Sequence, residues 1–296
     1  MLKLIILFSK WLKLLNQSIA SIVRIWIMSD SSKNFRQQKS NSERIIILGN
    51  GPSLNSTVEA NKDFFLNNEL LCVNHFGITD YYTEFKPKYY VAIAHDLFLD
   101  DVMPHFIEAS DRLFNAIADK TTWPLKFFIT QEAKKHFRWQ NILKRNKNIE
   151  IIYLNLIPVE GFDKFMFRHF NRANGMPRPH NVMVPAIFTA LHLGPKTIFL
   201  VGSDHSWLQE LHVDENNRTL FYNEHFYDKQ KQVKQFDYGG QYYMKLHEVL
   251  DTMSCAFASY HILNKYAEYK NSEIINCTSE SYIDAFNRCK ISEINT

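Results

Sequence analysis

The chain of 296 residues sets 34 Lys and Arg against 31 Asp and Glu, a formal charge of +3. That balance excludes a role built on binding polyanions, so nucleic acid is not expected as a partner. A hydrophobic content of 46% supplies a sizeable core, and the length suits one large α/β domain or two small ones. Cys72, Cys255, Cys277 and Cys289 form no C-x-x-C pair, which fits reduced thiols and gives no support to zinc or a disulfide frame.

Residues 2 to 28 are apolar but interrupted by Lys3, Lys10, Lys13 and Arg24. The uncharged run Leu14 to Val23 is too short to cross a bilayer. Leu4, Phe8, Trp11, Leu12, Leu15, Ile19, Ile22, Val23 and Trp26 recur at helical spacing, while Lys3, Lys10, Lys13, Gln17, Ser21 and Arg24 fall largely on the other side. The pattern predicts an amphipathic helix over residues 1–28 lying in a membrane interface, with docking on the protein's own core as the competing reading. No small-residue cleavage site of the signal-peptide kind is present. Residues 29–43 are polar and read as a linker.

Arg44 to Leu48 reads as a buried strand running into Gly49-Asn50-Gly51-Pro52-Ser53. A strand that breaks into glycines before a capped helix is how α/β proteins build phosphate sites, because backbone N–H groups then face the anion; a tight turn is the competing reading. It is neither G-x-G-x-x-G nor a Walker loop. A helix over Asn55–Phe65 and a strand over Leu70–Val73 follow, the strand ending at Asn74-His75. Asn74 thus stands where ligands bind in open parallel sheets. Tyr89–Ala94 predicts a third strand, Val102–Asp119 a helix, Leu125–Ile129 a fourth strand, Glu132–Lys147 a basic helix and Glu150–Leu154 a fifth strand.

Residues 161–180 mix aromatic and basic side chains; Arg172, Arg178 and His180 suit an anionic ligand, and a lid or a Phe-rich patch on the core is the alternative. Asn181–Leu193 reads as an apolar helix capped by Asn181 and closed by Gly194-Pro195. Lys196–Val201 is a strand running into Gly202-Ser203-Asp204-His205. Residues 208–240 are polar and read as an irregular, functional loop carrying Tyr222, His225 and Tyr227. A helix over Gln241–Lys270, a strand over Glu273–Asn276 and a helix from Thr278 through Phe286 complete the chain. Alternating strands and helices predict a Rossmann-like α/β domain over residues 44–290: a mostly parallel sheet with helices on both faces, a lid at about 208–240, and the N-terminal amphipathic helix. No H-E-x-x-H, G-x-S-x-G or Ca²⁺ loop occurs, and no metal site is expected.

Gly49-Asn50-Gly51-Pro52-Ser53-Leu54, Asn74 after the second strand, Arg178 to Val182 before a helix, and Gly202-Ser203-Asp204 occur in an order that resembles the bacterial sialyltransferases using CMP-activated sialic acid. The order also resembles the wider group of motility accessory factor and hydroxymethylpterin pyrophosphokinase-like proteins, which the ending Ile274 to Phe286 matches best. The resemblance covers roughly residues 44 to 288. It implies that Gly49, Asn50, Gly51, Pro52 and Ser53 hold the CMP phosphate and nearby sugar. It further implies that Asn74, Arg178, Asn181, Asp204 and Thr278 line the substrate site, and that His225 is the general base, with Tyr222 and Tyr227 donating to the leaving phosphate. No cofactor is implied. His180-Asn181-Val182 replaces the family's Thr-Ser-Gly, and Ser206 stands where a tyrosine is expected, which leaves the sugar open among sialic acid, another nonulosonic acid and Kdo.

The chemistry suits these residue types. A CMP-sugar leaves as a phosphate anion, which needs donors aimed at the developing charge, and an acceptor hydroxyl needs a base titrating near neutrality. The reading is therefore a glycosyltransferase with a glycan or glycolipid acceptor, cytoplasmic and peripheral on the inner face of the cell membrane through residues 1–28. An ATP- and Mg²⁺-dependent pyrophosphokinase and a non-catalytic nucleotide-binding protein are the alternatives.

Overall fold

The structure is a computed structural model; it describes residues 1–223, 232–235 and 243–294, and of 222, 223 and 232–235 the backbone alone. α1 (Leu2–Met28) and α2 (Lys33–Gln37) precede β1 (Arg44–Leu48), α3 (Leu54–Ala60), α4 (Lys62–Leu66) and β2 (Glu69–Val73). α5 (Asp80–Phe85), β3 (Tyr89–Ala92), α6 (His95–Phe98), α7 (Pro104–Lys120), β4 (Leu125–Thr130), α8 (Phe137–Leu143) and β5 (Ile149–Leu154) follow. Next come α9 (Asp163–Asn171), α10 (Met183–Leu193) and β6 (Thr197–Val201). The short strands β7 (His212–Val213), β8 (Thr219–Asn223) and β9 (Gln232–Gln235) lead to α11 (Leu246–Tyr269), β10 (Glu273–Asn276) and β11 (Asn287–Arg288).

Eight strands form one sheet in the order β11-β10-β6-β1-β2-β3-β4-β5, and every pair in it is parallel. The chain adds β2 to β5 on one side of β1, then returns to add β6, β10 and β11 on the other. Strand side chains alternate between two cores. Ile45 and Ile47 face a core completed by Phe35 and by α9, α10 and α11; Ile46 and Leu48 face one completed by α3 to α8. Burial on both faces is why the strands read as continuous apolar runs rather than alternating ones. The doubly wound arrangement agrees with the sequence reading.

Several local expectations are corrected. The helix expected over 55–65 breaks at Asn61, whose backbone leaves the helical region between α3 and α4. The helix expected over 132–147 is a 3-10 turn, Gln131–Lys135, then α8. Trp139 Nε1 donates to the Ala133 carbonyl, and Gln140 Nε2 donates to the carbonyls of Lys134 and His136. Those side chains hold an extended His136 between the two pieces. No helix forms over 278–286. There the Arg288 guanidinium donates to the carbonyls of Ser279, Ser281 and Ile283, and Tyr282 N donates to the Asp204 carbonyl. Residues 208–240 are not wholly irregular, since β7, β8 and β9 form a small antiparallel sheet.

Helix α1 forms as expected, but its polar stripe is the docked side. Ser18 and Ser21 are buried. Ser21 Oγ donates to the Glu160 carbonyl at 3.1 Å and accepts from Glu160 N at 2.9 Å. Ser18 Oγ accepts from Phe162 N at 3.3 Å. Gly161, at φ +128°, passes so close that a Cβ there would lie 2.0 Å from Ser18 Oγ, so only glycine fits. Arg24 and Arg178 both donate to the Glu160 carboxylate, whose pKa falls below the ordinary carboxylate range through these bonds despite burial. Residues 29–43 are not a free linker either: Phe35 is in the core, and Ser32 Oγ donates to the Ala173 carbonyl at 2.8 Å.

Candidate functional site

In open parallel sheets ligands bind where the strand order reverses. Here that point lies between β1 and β6, and the chain closes it with its own groups. Gly49 N donates to Val201 O and Gly51 N to Gly202 O, each at 2.8 Å. Ser53 N and Ser53 Oγ donate to the two Asp204 carboxylate oxygens at 3.2 and 2.9 Å. A Cβ on Gly51 would lie 1.8 Å from Asp204 Oδ2, and one on Gly49 2.3 Å from Gly202 O. The glycines thus admit the β6 loop. Burial raises the Asp204 pKa, partly offset by the Ser53 donors.

The open cavity lies to one side, over the C-terminal ends of β2 to β5. It measures about 570 Å³, within the range of small-molecule sites. Asn74 comes from the end of β2, His95 from β3, Gln131 and Glu132 from β4, and Asn155 from β5. Residues Pro179 to Val182, before α10, form the opposite wall, and Met28 at the end of α1 stands on the rim.

Asn181 is oriented by three donors. Its Oδ1 accepts from Met183 N at 2.9 Å, Val184 N at 3.2 Å and the Tyr260 hydroxyl at 3.0 Å. Three donors on one atom assign it as the oxygen, which leaves Nδ2, buried and without a partner, on the cavity wall. Behind Tyr260 stands His205, with Nε2 2.5 Å from the hydroxyl. Complete burial pushes the His205 pKa down to about 3, so the ring is neutral and its N–H donates to Tyr260, which in turn donates to Asn181. On the facing wall Gln131 Oε1 is likewise buried and unpartnered, while its Nε2 donates to the Ser31 carbonyl at 3.3 Å. A buried donor and a buried acceptor without partners, on two residues that line one cavity, each cost stability unless something binds them.

His95 and Glu132 meet across the cavity edge, Nε2 to Oε2 at 3.3 Å. His180 also lines the cavity, its pKa lowered by burial and by Arg178. The cavity therefore offers a carboxylate-paired imidazole beside an amide donor and an amide acceptor. Among the described residues no group of three or more His, Cys, Asp or Glu is placed to hold a metal ion.

Of the residues singled out in the sequence, Asn74, His180 and Asn181 share this cavity. Asn74 sits at φ 43°, and its Oδ1 accepts from Ile93 N at 3.4 Å. Asn50 Nδ2 donates to the Val73 carbonyl at 3.2 Å, which places the glycine turn beside Asn74. Pro52 is exposed on that turn, and Gly49, Gly51, Ser53 and Asp204 bond one another as described. Arg178 is engaged by Glu160. Thr278 lines a different cavity, about 590 Å³, between α3 and the C-terminal strands, and its Oγ1 accepts from Ser203 N at 3.0 Å. Among the described residues that second cavity has no buried side-chain atom lacking a partner. Tyr222 lies on β8, in register with Val233; His225 and Tyr227 lie outside the described residues. Gln131, Glu132, Asn155 and the pairing of His95 were not anticipated.

No protein-family model matches the chain, and no curated protein matches it. Among solved structures it is similar to a MAf glycosyltransferase from Magnetospirillum magneticum AMB-1, at 11% identity and a TM-score of 0.48. The match covers 90% of this chain and 38% of that one.

Proposed function

We propose that the chain is a glycosyltransferase that moves a sugar from a CMP-activated donor, a sialic acid, another nonulosonic acid or Kdo, to a glycan or glycolipid hydroxyl. The observation that carries the proposal is the cavity over β2 to β5, lined by Asn181 and Gln131, whose Nδ2 and Oε1 are buried and have no protein partner. The order of the sequence motifs supplies the choice of donor. A cytidine edge needs both a donor and an acceptor, and the two amides offer one of each.

In the transfer the acceptor oxygen bonds to the anomeric carbon as the bond from that carbon to the phosphate oxygen breaks. CMP leaves with the bonding pair, and the acceptor's proton goes to a base. His95, whose Nε2 lies 3.3 Å from Glu132 Oε2, is the cavity imidazole oriented by a carboxylate and so the base we assign to that proton. His225, the base implied by the sequence resemblance, is the alternative, and mutation separates the two.

Thermal shift against CMP, CDP, UDP, GDP and ATP, each with and without Mg²⁺, tests the reading. CMP alone is expected to stabilise the protein without added metal, by about 2.7 kcal/mol at a hundred times its Kd. Stabilisation by ATP with Mg²⁺ only would sink the proposal. His95→Ala is expected to retain the CMP shift and lose transfer by roughly 10²- to 10⁴-fold; unchanged transfer, with loss in His225→Ala, would reassign the base.

A further inference from the structure

Helix α1 buries one stripe and shows the other to solvent, and the exposed stripe is the apolar one. Its buried and half-buried positions beyond the first turns are Leu14, Leu15, Gln17, Ser18, Ser21, Arg24 and Ile25, which apart from Leu15 recur along the 14-18-21-25 and 17-21-24 rows on one side of a helix. They are held by the bonds to residues 160–162. On the opposite side Phe8, Leu12, Ile19, Ile22, Val23 and Trp26 are all exposed, Trp26 by 84%. The first turns project beyond the docked stripe, with Leu4 71% and Phe8 61% exposed. A contiguous apolar face of this length is a binding surface rather than scattered exposure.

Charge selects what covers it. Residues 1–29 contain Lys3, Lys10, Lys13 and Arg24 and no acidic residue, Asp30 being the first. Arg24 is used internally by Glu160, and the three lysines are exposed. A second copy laid along this face would bring together two helices that each carry three free lysines and no acidic residue to offset them. An anionic lipid surface accepts the apolar face with its exposed Trp26, and it attracts the net positive charge of the helix from the lysines on the helix's other side. α1 has no window apolar enough to cross a bilayer; no described helix has.

We infer that α1 lies flat in an anionic lipid monolayer, seated by its exposed apolar face and fixed to the catalytic domain by its polar stripe. The helix ends at the cavity: Met28 is on the rim, and Asp30 exchanges hydrogen bonds with Asn155 of the cavity wall at 3.2 and 2.9 Å. Seating α1 therefore sets the cavity mouth at the level of the lipid head groups. This deepens the proposed transfer reaction by naming a lipid surface as its place, yet the binding itself is measured without donor or acceptor.

Vesicle sedimentation of the full chain tests the inference, with phosphatidylcholine alone and with 30 mol% phosphatidylglycerol as the chosen membranes. The wild type is expected to pellet with the anionic vesicles and to be released by salt. Brominated acyl chains are expected to quench its fluorescence, and quenching falls in Trp11→Phe/Trp26→Phe. Ile19→Glu/Trp26→Glu is expected to abolish binding while leaving the CMP thermal shift and the melting temperature near wild type, since neither residue is buried. Lys3→Gln/Lys10→Gln/Lys13→Gln is expected to weaken binding on the order of a hundredfold, about fivefold per lysine. A wild type that stays in the supernatant, or an Ile19→Glu/Trp26→Glu variant that pellets equally well, overturns the inference. So does a dimer dispersed by that variant with no binding to vesicles. Loss of vesicle binding with an intact CMP response refutes the membrane seat alone; the reverse result refutes the donor assignment alone.

Discussion

Acid should weaken this fold through one histidine whose contribution can be isolated. His192, on α10, is packed among Phe35, Phe188 and Tyr266, with ring centroids 4.8, 4.6 and 6.4 Å away. One ring nitrogen bonds the Phe170 carbonyl, and Nε2 is buried without a partner. Desolvation, aided by Lys270 and Lys39, pushes its pKa from 6.5 down to about 3. The unfolded chain takes up a proton as pH falls below 6.5, whereas the folded ring stays neutral until about pH 3. Stability is therefore full above 6.5 and lost progressively between those values. At pH 5 the loss is 1.36 kcal/mol times log(1 + 10^1.5), about 2 kcal/mol. Urea unfolding followed by circular dichroism at pH 7 and pH 5, on wild type and His192→Gln, measures it. Glutamine cannot titrate, so the variant should lose about 2 kcal/mol less than wild type between the two pH values, whatever its own constant cost. His205, also pushed down to about 3, and Asp204, raised and so acting in the opposite direction, are common to both proteins and cancel. Parallel losses in the two proteins would refute the claim that His192 is held neutral.

Two further outcomes follow from the site. Gly51→Ala should destabilise the fold by roughly 2–4 kcal/mol, because the added methyl meets Asp204 at 1.8 Å and overpacking at a hydrogen-bonded turn cannot relax cheaply; a melting temperature within a degree of wild type would contradict the closed turn. Asn181→Asp keeps the oxygen that caps α10 but replaces the open donor by an acceptor. Its melting temperature is expected to stay near wild type while the CMP shift is lost, and Asn181→Ala should additionally cost about 1 kcal/mol for the cap. Undiminished CMP binding in Asn181→Asp would remove that amide from the site.

The sheet was legible because buried parallel strands announce themselves. Ile45 to Leu48 and Leu70 to Val73 are apolar on both faces and stop at turn residues. Asn74 and Asn181 were legible as the residues that end a strand and begin a helix. The His95–Glu132 pair was not, since it joins the ends of β3 and β4, and only the register of the two strands brings them together. Asp204 and Ser53 were both noticed, but a glycine turn that admits a ligand and one that admits a neighbouring loop have the same composition. For α1 the periodicity defined two faces without telling which one docks. The signal lay elsewhere, in Ser18 and Ser21 at helical spacing and in Gly161, the glycine that their close approach demands.

The carboxylate of Asp204 gives the strand reversal a latent character. Two donors of Ser53 are already aimed at an anion there, and the anion happens to be covalently part of the chain. Shortening one side chain would vacate a carboxylate-sized recess with its donors in place, open to formate or acetate from solution. The fold thus keeps, behind a single side chain, the donors of an anion crevice whose occupant is its own carboxylate.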